Sequence, residues 1–242
     1  MITNKQILIT GATSGIGLSL CEYLLENNCK VIAVGRNEDK IKNLKSDNFT
    51  FVKLDLNEFS EYSKIFDEAL NGEKLDGFVH CAGMEETLPI TLYTPEKIQN
   101  IFNINVFSGI ELLRFFSKKK YSNDGSSVVF ISSVMGELGQ PGKVGYCATK
   151  SAILGLVKAS ALELAKRKFR VNAISPGVVN TPMTQKLFSQ IDQDNIQRIK
   201  NMHPLDIGEV EDVIPLLAFL LSNNSRWITG QNIKIDGGYS IQ

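Results

Sequence analysis

Short, continuously apolar runs alternate with longer segments of helical periodicity along this 242-residue chain. Unbroken apolar character, rather than polar–apolar alternation, is typical of parallel strands covered by helices on both faces. The predicted strands are Gln6–Thr10, Lys30–Val34, Phe49–Leu54, Gly77–Cys81, Ser127–Ile131, Arg170–Ile174 and Asn232–Ile235. The predicted helices are 16–28, 38–45, 58–71, 95–119, 145–167 and 209–222. This order predicts one α/β domain over residues 1–242, a Rossmann-like, doubly wound parallel seven-stranded sheet flanked by helices.

The composition of the chain bears on which partners it binds and on its cellular compartment. Lys+Arg and Asp+Glu both number 26, so the chain has no basic field that would favour nucleic acid. The cysteines show no CxxC pair and no metal-ligand spacing with His80 or His203, which favours free thiols and no metal site. Neither a signal peptide nor an apolar stretch long enough for a membrane span is recognisable. We therefore predict a soluble cytoplasmic protein.

A glycine-rich loop, Thr10-Gly11-Ala12-Thr13-Ser14-Gly15-Ile16-Gly17, connects the first predicted strand to the first helix. Glycines here permit a tight turn and bring the backbone close to a pyrophosphate, which binds at the helix N-terminus. The spacing is GxxxGxG rather than GxGxxG, and a simple turn is the alternative interpretation. Its position between a strand and a helix favours a dinucleotide site.

The end of the second strand bears on the choice of dinucleotide. NAD-binding domains place an acidic residue here for the ribose 2′-hydroxyl, whereas an arginine suits a 2′-phosphate. This chain has Gly35 and then Arg36, whose planar guanidinium can donate two hydrogen bonds to a phosphate. NADP(H) is therefore favoured over NAD(H), with a solvated surface arginine as the alternative.

A candidate acid/base pair lies in the helix predicted over 145–167. Tyr146 and Lys150 are one helical turn apart and share a face. A free tyrosine has a pKa of about 10, and a neighbouring ammonium, together with an oxidised nicotinamide, stabilises its phenolate. Ser133 ends the strand before this helix. A Tyr-x-x-x-Lys spacing is common by chance, but here it accompanies the glycine loop and Ser133.

With these motifs the chain resembles the short-chain dehydrogenase/reductase family, in the branch with a TGxxxGxG loop and a YxxxK helix. The resemblance spans the chain, and its ordered matches are Thr10–Gly17, Asp55, Cys81-Ala82-Gly83, Asn105, Ser133, Tyr146–Lys150, Arg170-Val171-Asn172, Pro176-Gly177, Thr181, Ile228–Gln231 and Asp236-Gly237-Gly238. Cys81 departs from the family, which has asparagine there, so that residue's structural hydrogen bonds must be replaced. Ser14 also departs, because many NADP-preferring relatives carry a basic residue at this position.

The resemblance implies a Ser-Tyr-Lys-Asn catalytic tetrad. Tyr146 would exchange a proton with the substrate oxygen, Ser133 would hydrogen-bond that oxygen, Lys150 would lower the tyrosine pKa and bind the nicotinamide ribose, and Asn105 would hold a water that links Lys150 to solvent. The implied cofactor contacts are Gly11, Thr13, Ser14, Gly15, Ile16, Gly17, Arg36, Asp55, Leu56, Cys81, Ala82, Gly83, Tyr146, Lys150, Pro176, Gly177, Val179 and Thr181. A homotetramer is expected on the same basis.

The expected activity is hydride transfer between NADP(H) and a carbonyl or secondary alcohol, similar to 3-oxoacyl-carrier-protein reductases. Dehydrogenation of a sugar, polyol or polysaccharide precursor is an alternative, as is a nucleotide-sensing regulator without catalysis.

The polar segment 181–204 is predicted to be a lid over the substrate. Its sequence does not identify that substrate. His80 and Cys147 are interpreted as packing residues, and His203 as a weaker candidate for substrate contact. The basic run 118–120 is interpreted as a solvated helix end rather than a carrier-protein dock.

Overall fold

The seven predicted strands form one parallel sheet in the computed structural model, which describes residues 2–44 and 46–241. They are β1 Gln6–Thr10, β2 Lys30–Gly35, β3 Phe49–Lys53, β4 Leu75–His80, β5 Ser122–Ile131, β6 Arg170–Pro176 and β7 Asn232–Ile235. Their order is β3-β2-β1-β4-β5-β6-β7, which confirms the doubly wound prediction. Chain order reverses between β1 and β4, and ligands of such sheets bind at this point, beyond the carboxyl ends of the strands.

Helices cover both faces of the sheet and enclose two apolar cores. The α-helices are α1 Gly15–Glu26, α2 Pro95–Phe102, α3 Ser108–Phe116, α4 Val144–Leu164, α5 Pro182–Phe188, α6 Gln193–Asn201 and α7 Val210–Leu221. On one face α1 and α7 pack through side chains such as Leu20 and Leu217. On the other, α3 and α4 pack through Phe116 and Ile153. All four side chains are fully buried, so continuous apolar strands are required on both faces.

Three predicted helices differ from the structure. Over 38–45 only the 3₁₀ turn Glu38–Ile41 forms, because Ile41 is the one buried side chain of that turn; Lys45 lies outside the described residues. The segment 58–71 forms a 3₁₀ turn, Phe59–Tyr62, followed by the π-helical turn Lys64–Ala69. The segment 95–119 is interrupted by a π-helical turn, Asn103–Phe107, which separates α2 from α3. Such bulges are frequent at functional sites.

The polar segment 181–204 contains two short helices that its composition does not predict. Each begins at a side chain that caps the helix N-terminus: Thr181 Oγ1 accepts from Thr184 N at 3.3 Å, and Asp192 Oδ1 accepts from Asn195 N at 2.8 Å. Neither α5 nor α6 has a buried residue. Local capping, rather than an apolar face, therefore starts these helices. Over the described part of the chain, no helix combines the length and apolar character needed to cross a membrane.

Candidate active site

A cavity of about 720 Å³ opens at the carboxyl ends of the strands, where the chain order reverses. Fifteen residues predicted from sequence line it: Gly11, Ser14, Gly15, Ile16, Gly17, Cys81, Ala82, Gly83, Ser133, Tyr146, Lys150, Pro176, Gly177, Val179 and Thr181. The predicted residues outside this lining are Thr13, Arg36, Asp55, Leu56 and Asn105. The sheet therefore brings together the glycine loop, the Ser133 strand end and the Tyr146 helix, although they are far apart in sequence.

The glycine loop has the geometry of a cradle for phosphate. Gly11 has a φ of +64°, and a Cβ there would lie 2.7 Å from the backbone nitrogen of Ala82. A Cβ on Gly17 would collide with the carbonyl oxygen of Gly11. The N-cap residue Ser14 makes no side-chain cap hydrogen bond, and the first turn of α1 has no acidic residue. The positive end of α1 therefore remains available to an anion, and the residues fit a dinucleotide pyrophosphate.

Buried hydrogen bonds hold the backbone of this cradle in place on either side of Cys81. Thr10 Oγ1 lies 2.9 Å from His80 Nδ1, and His80 Nε2 lies 3.3 Å from Ser108 Oγ. Ala82 N donates to Thr10 Oγ1 at 3.3 Å. Burial lowers the pKa of His80 to about 3, so the ring is neutral and can accept from Thr10 while donating to Ser108. These bonds connect β1, β4 and α3, and the interpretation of His80 as a packing residue is confirmed.

The predicted adenine end of the site lies outside the main cavity. Arg36 is exposed at the end of β2, and no carboxylate of the described chain pairs with it. The Asp55 carboxylate accepts from Asn57 N at 3.0 Å, which fixes the turn after β3. Leu56 is only 7% exposed, and its side chain packs in the core. Leu56 therefore offers only backbone atoms to a ligand. Thr13 packs its side chain close to the Cα of Gly35.

Ser133, Tyr146 and Lys150 meet on the cavity wall. Ser133, at the end of β5, accepts a hydrogen bond on Oγ from Met135 N at 3.2 Å, which fixes its orientation. Lys150 is 4% exposed and donates from Nζ to the carbonyl oxygen of Ile131 at 2.8 Å. Its Nζ lies 5.5 Å from the centroid of the Tyr146 ring. One backbone carbonyl of β5 thus holds the ammonium beside the phenol.

Burial has the largest effect on the pKa values of Tyr146 and Lys150 in this cluster. Burial raises the pKa of Tyr146 to about 12, partly offset by a hydrogen bond with Ser133. Burial also lowers the pKa of Lys150 to about 8. Desolvation thus disfavours the charged form of each group. Proton release from Tyr146 near neutral pH requires additional positive charge beside the ring.

Asn105 lies in the π-helical turn and is fully buried. Its Oδ1 accepts from Met84 N at 2.8 Å, and its Nδ2 donates to Met84 O and Thr149 Oγ1, each at 3.0 Å. The side chain thus clamps the loop after β4 to α4, one residue before Lys150. The expected water link to Lys150 stays a prediction.

Two cavity residues were missed or undervalued from sequence. Lys143 is 6% exposed, lines the cavity and forms an ion pair with Glu85, from which it is separated by 58 positions. His203 is also buried, accepts from Val178 N at 3.1 Å through Nε2, and has Nδ1 2.8 Å from the carbonyl oxygen of Ile199. His203 thereby ties the end of α6 to the loop after β6. The sequence around His203 does not indicate that role.

The comparisons with known proteins agree with this geometry. The family profile described as Enoyl-(Acyl carrier protein) reductase matches residues 11–240. A 3-oxoacyl-[acyl-carrier-protein] reductase FabG from Rickettsia prowazekii is 36% identical, covering 98% of this chain and 97% of that protein. The structure of ElxO with NADP bound is 28% identical, with a TM-score of 0.86 over 99% of this chain and 100% of that one. A 4-hydroxyisoleucine dehydrogenase complexed with NADH is 32% identical, with a TM-score of 0.91 over the same shares.

The chain belongs to the short-chain dehydrogenase/reductase family, as its motifs indicated. It is an oxidoreductase of that family, similar to 3-oxoacyl-carrier-protein reductases.

Proposed function

We propose that the chain reduces a 3-oxoacyl substrate to the 3-hydroxyacyl product, with NADPH as the hydride donor. One observation carries this proposal: Ser133, Tyr146 and Lys150 line the same cavity as the glycine loop. The relatives named as 3-oxoacyl-carrier-protein reductases support the substrate class. A cytoplasmic location, with a small-molecule or carrier-bound substrate, belongs to the same proposal.

NADP(H) is the cofactor, and its nicotinamide supplies or accepts the hydride when bound. The pyrophosphate would be held by the cradle of Gly11, Gly15 and Gly17 and the N-terminus of α1. Arg36 would hold the 2′-phosphate, because its guanidinium is exposed and free of carboxylate partners in the described chain. Residues proposed for the adenine are Asp55 and the backbone of Leu56. The nicotinamide end would contact Val179 and Thr181.

The chain's own residues would handle the proton. Ser133 Oγ would donate to the substrate oxygen and stabilise the negative charge that develops there. Tyr146 would give its proton to that oxygen in reduction and take it back in oxidation. Lys150 would bind the nicotinamide ribose and favour the phenolate. Asn105 would hold the loop after β4 in place beside Tyr146 and Lys150.

The segment 181–204 is proposed as the lid over the substrate. The apolar side chains of this segment that line the cavity are Met183, Leu187, Ile191, Ile199 and Met202, and they alternate with the polar side chains of Thr181, Thr184, Asn195, Arg198 and His203. The apolar part of this wall favours an acyl chain over a sugar or polyol, whose hydroxyls would be left without partners there. This contrast separates the leading proposal from the polyol alternative. Intact Ser133, Tyr146 and Lys150 in one cavity likewise favour catalysis over nucleotide sensing alone.

Steady-state NADPH oxidation with a matched substrate panel tests the proposal. The panel contains a 3-oxoacyl thioester, a 3-oxo ester of the same chain length, and a ketose. We expect turnover with both 3-oxoacyl compounds and at most weak turnover with the ketose. Turnover confined to the sugar would support the polyol alternative, and tight NADPH binding without turnover on any substrate would support the sensor.

Arg36→Asp is expected to reverse the cofactor preference. The change removes the bidentate contact and places a carboxylate near the 2′-phosphate, whereas NADH gains an acceptor for its ribose hydroxyl. We expect kcat/KM for NADPH to fall by on the order of 10²-fold, corresponding to loss of a charge-assisted contact of about 3 kcal/mol. Kinetics with both cofactors measure this effect. The neighbouring Lys40→Asp serves as the charge-matched control, and an unchanged preference in Arg36→Asp would contradict the assignment.

A homotetramer is part of the proposal, with α2, α3 and α4 forming one two-fold interface. The C-terminal strand with residues 236–242, of which Gln242 lies outside the described residues, would form the other. Exposed large apolar side chains support these surfaces: Leu162 on α4 is 81% exposed, and Trp227 before β7 is 90% exposed. Light scattering at micromolar concentration should report four copies; a monomer would contradict the assembly.

A further inference from the structure

Two lysine ammonium groups, rather than one, lie near the ring of Tyr146. Lys150 Nζ is 5.5 Å from the centroid of its ring, and Lys143 Nζ is 5.8 Å from the same point. Both lysines are buried and line the cavity. Judged by distance alone, the two ammonium groups would act on the phenol with nearly equal strength. Only their partners differ.

The partners decide which charge the phenol experiences. Lys150 donates to a neutral carbonyl, that of Ile131, so its charge is uncompensated. Lys143 forms an ion pair with Glu85, and the two side chains are only 7% and 12% exposed. Glu85 is fixed in turn by a hydrogen bond from Thr87 Oγ1 at 2.8 Å. At this burial water screens the pair poorly, so the carboxylate cancels the Lys143 charge locally.

We propose that Glu85 and Lys143 are positioning residues for Tyr146: the carboxylate balances the Lys143 ammonium, so that of the two ammonium groups near the tyrosine only Lys150 acts with its full charge. This inference rests on the proposed role of Tyr146 as the acid/base. Glu85 also raises the pKa of Tyr146, after the larger effect of burial. By balancing the Lys143 ammonium, Glu85 would keep the tyrosine protonated, as a reductase requires of its proton donor.

Other groups face the tyrosine, and they remain constant in the comparison below. Ser133 approaches from the loop after β5, and Lys150 and Cys147 approach from α4. Cys81, also after β4, acts on Lys150. From the lid, Arg198 and His203 line the same cavity.

The test is the pH profile of kcat/KM for oxidation of the 3-hydroxyacyl product at saturating NADP⁺. Oxidation requires the deprotonated tyrosine, so the profile rises with pH through the pKa of Tyr146. Glu85→Gln leaves an unbalanced ammonium beside the phenol and should lower the midpoint by about one pH unit. Lys143→Met leaves a carboxylate and should raise it. The double variant removes both charges and should return the midpoint close to the wild-type value.

Glu86→Gln is the matched control. Glu86 is the next residue along the chain and pairs with Lys97 at 3.3 Å, but this pair is more exposed and Lys97 does not line the cavity. We expect no shift of the midpoint in this control. Fluorescence of bound NADPH verifies that each variant folds and binds cofactor.

The remaining outcomes separate this inference from the proposed function. Reduced kcat with an unmoved midpoint in Glu85→Gln would indicate a purely structural pair and overturn the inference. A raised KM for substrate with an unmoved midpoint would make Lys143 a substrate contact and overturn it equally. Full activity in Tyr146→Phe would instead overturn the proposed function, whatever Glu85→Gln does.

Discussion

Tyr146→Phe is expected to lower kcat/KM by about 10²–10⁴-fold or more, the range for loss of a general acid. The ring remains, so packing around α4 changes little, but the cavity loses its proton donor. Ser133 cannot replace it, because a serine hydroxyl is a far weaker acid than a phenol. NADPH affinity should stay close to that of the wild type, since the glycine cradle and Lys150 are unchanged. Steady-state kinetics and NADPH fluorescence together measure both expectations.

Tyr239→Phe provides the matched control, because Tyr239 is a second tyrosine on the wall of the same cavity. Its ring packs against His203, with 4.8 Å between the ring centroids, and loss of its hydroxyl leaves that contact in place. We expect activity close to that of the wild type. If Tyr146→Phe retained more than about a tenth of wild-type activity, outside the range for a lost general acid, another group would be the proton donor.

Lys150→Met is expected to reduce turnover by on the order of 10²–10³-fold, comparable to removal of one preorganised electrostatic contact. Unlike Tyr146→Phe, it should also weaken NADPH binding, because the ammonium is the proposed ribose contact. The fold should survive. Burial already lowers the pKa of Lys150 to about 8, so its ammonium is a desolvated charge whose removal relieves a cost to stability. We therefore expect a thermal midpoint no lower than that of the wild type at pH 7.

Lys158→Met, two turns further along α4 and exposed, controls for the loss of a lysine from this helix. It should leave kinetics, cofactor affinity and thermal midpoint unchanged. Normal NADPH affinity in Lys150→Met would show that Lys150 does not contact the nicotinamide ribose. A large loss of stability would show instead that the bond to Ile131 O is mainly structural.

The sheet was predictable from sequence because its signal is local and repeated. A strand buried on both faces is apolar along its centre, and β1 and β2 show this in the central residues 7–9 and 31–34. The glycine loop was predictable because Gly11 and Gly17 meet steric limits that a side chain would violate. Helix ends were less accurate where charge predominates, as over 38–41, or where a π-helical turn interrupts a regular pattern, as at 103–107.

The catalytic motif was predictable, but its electrostatic setting was not. Tyr146 and Lys150 share a helix, so their spacing is visible in sequence. The partner that neutralises Lys143 is Glu85, 58 positions away, and only the sheet brings the loops after β4 and before α4 together. Burial is likewise a property of the folded chain. The spacing predicts that Lys150, together with an oxidised nicotinamide, stabilises the phenolate, and this stays a prediction; the opposing effect of burial, which raises the pKa of Tyr146 to about 12, was not visible in the sequence.

Hydride transfer from the nicotinamide to a 3-oxoacyl carbon is the central claim, and an isotope label tests it most directly. The wild-type enzyme is incubated with a 3-oxoacyl thioester and each of the two NADPH stereoisomers that carry deuterium at the hydride-bearing carbon. Mass spectrometry then analyses the product. The account predicts a 3-hydroxyacyl thioester that carries deuterium on its carbinol carbon with one of the two stereoisomers, and no such product with Tyr146→Phe. Absence of deuterium from the product with both stereoisomers, or absence of any product from the wild type, would contradict it.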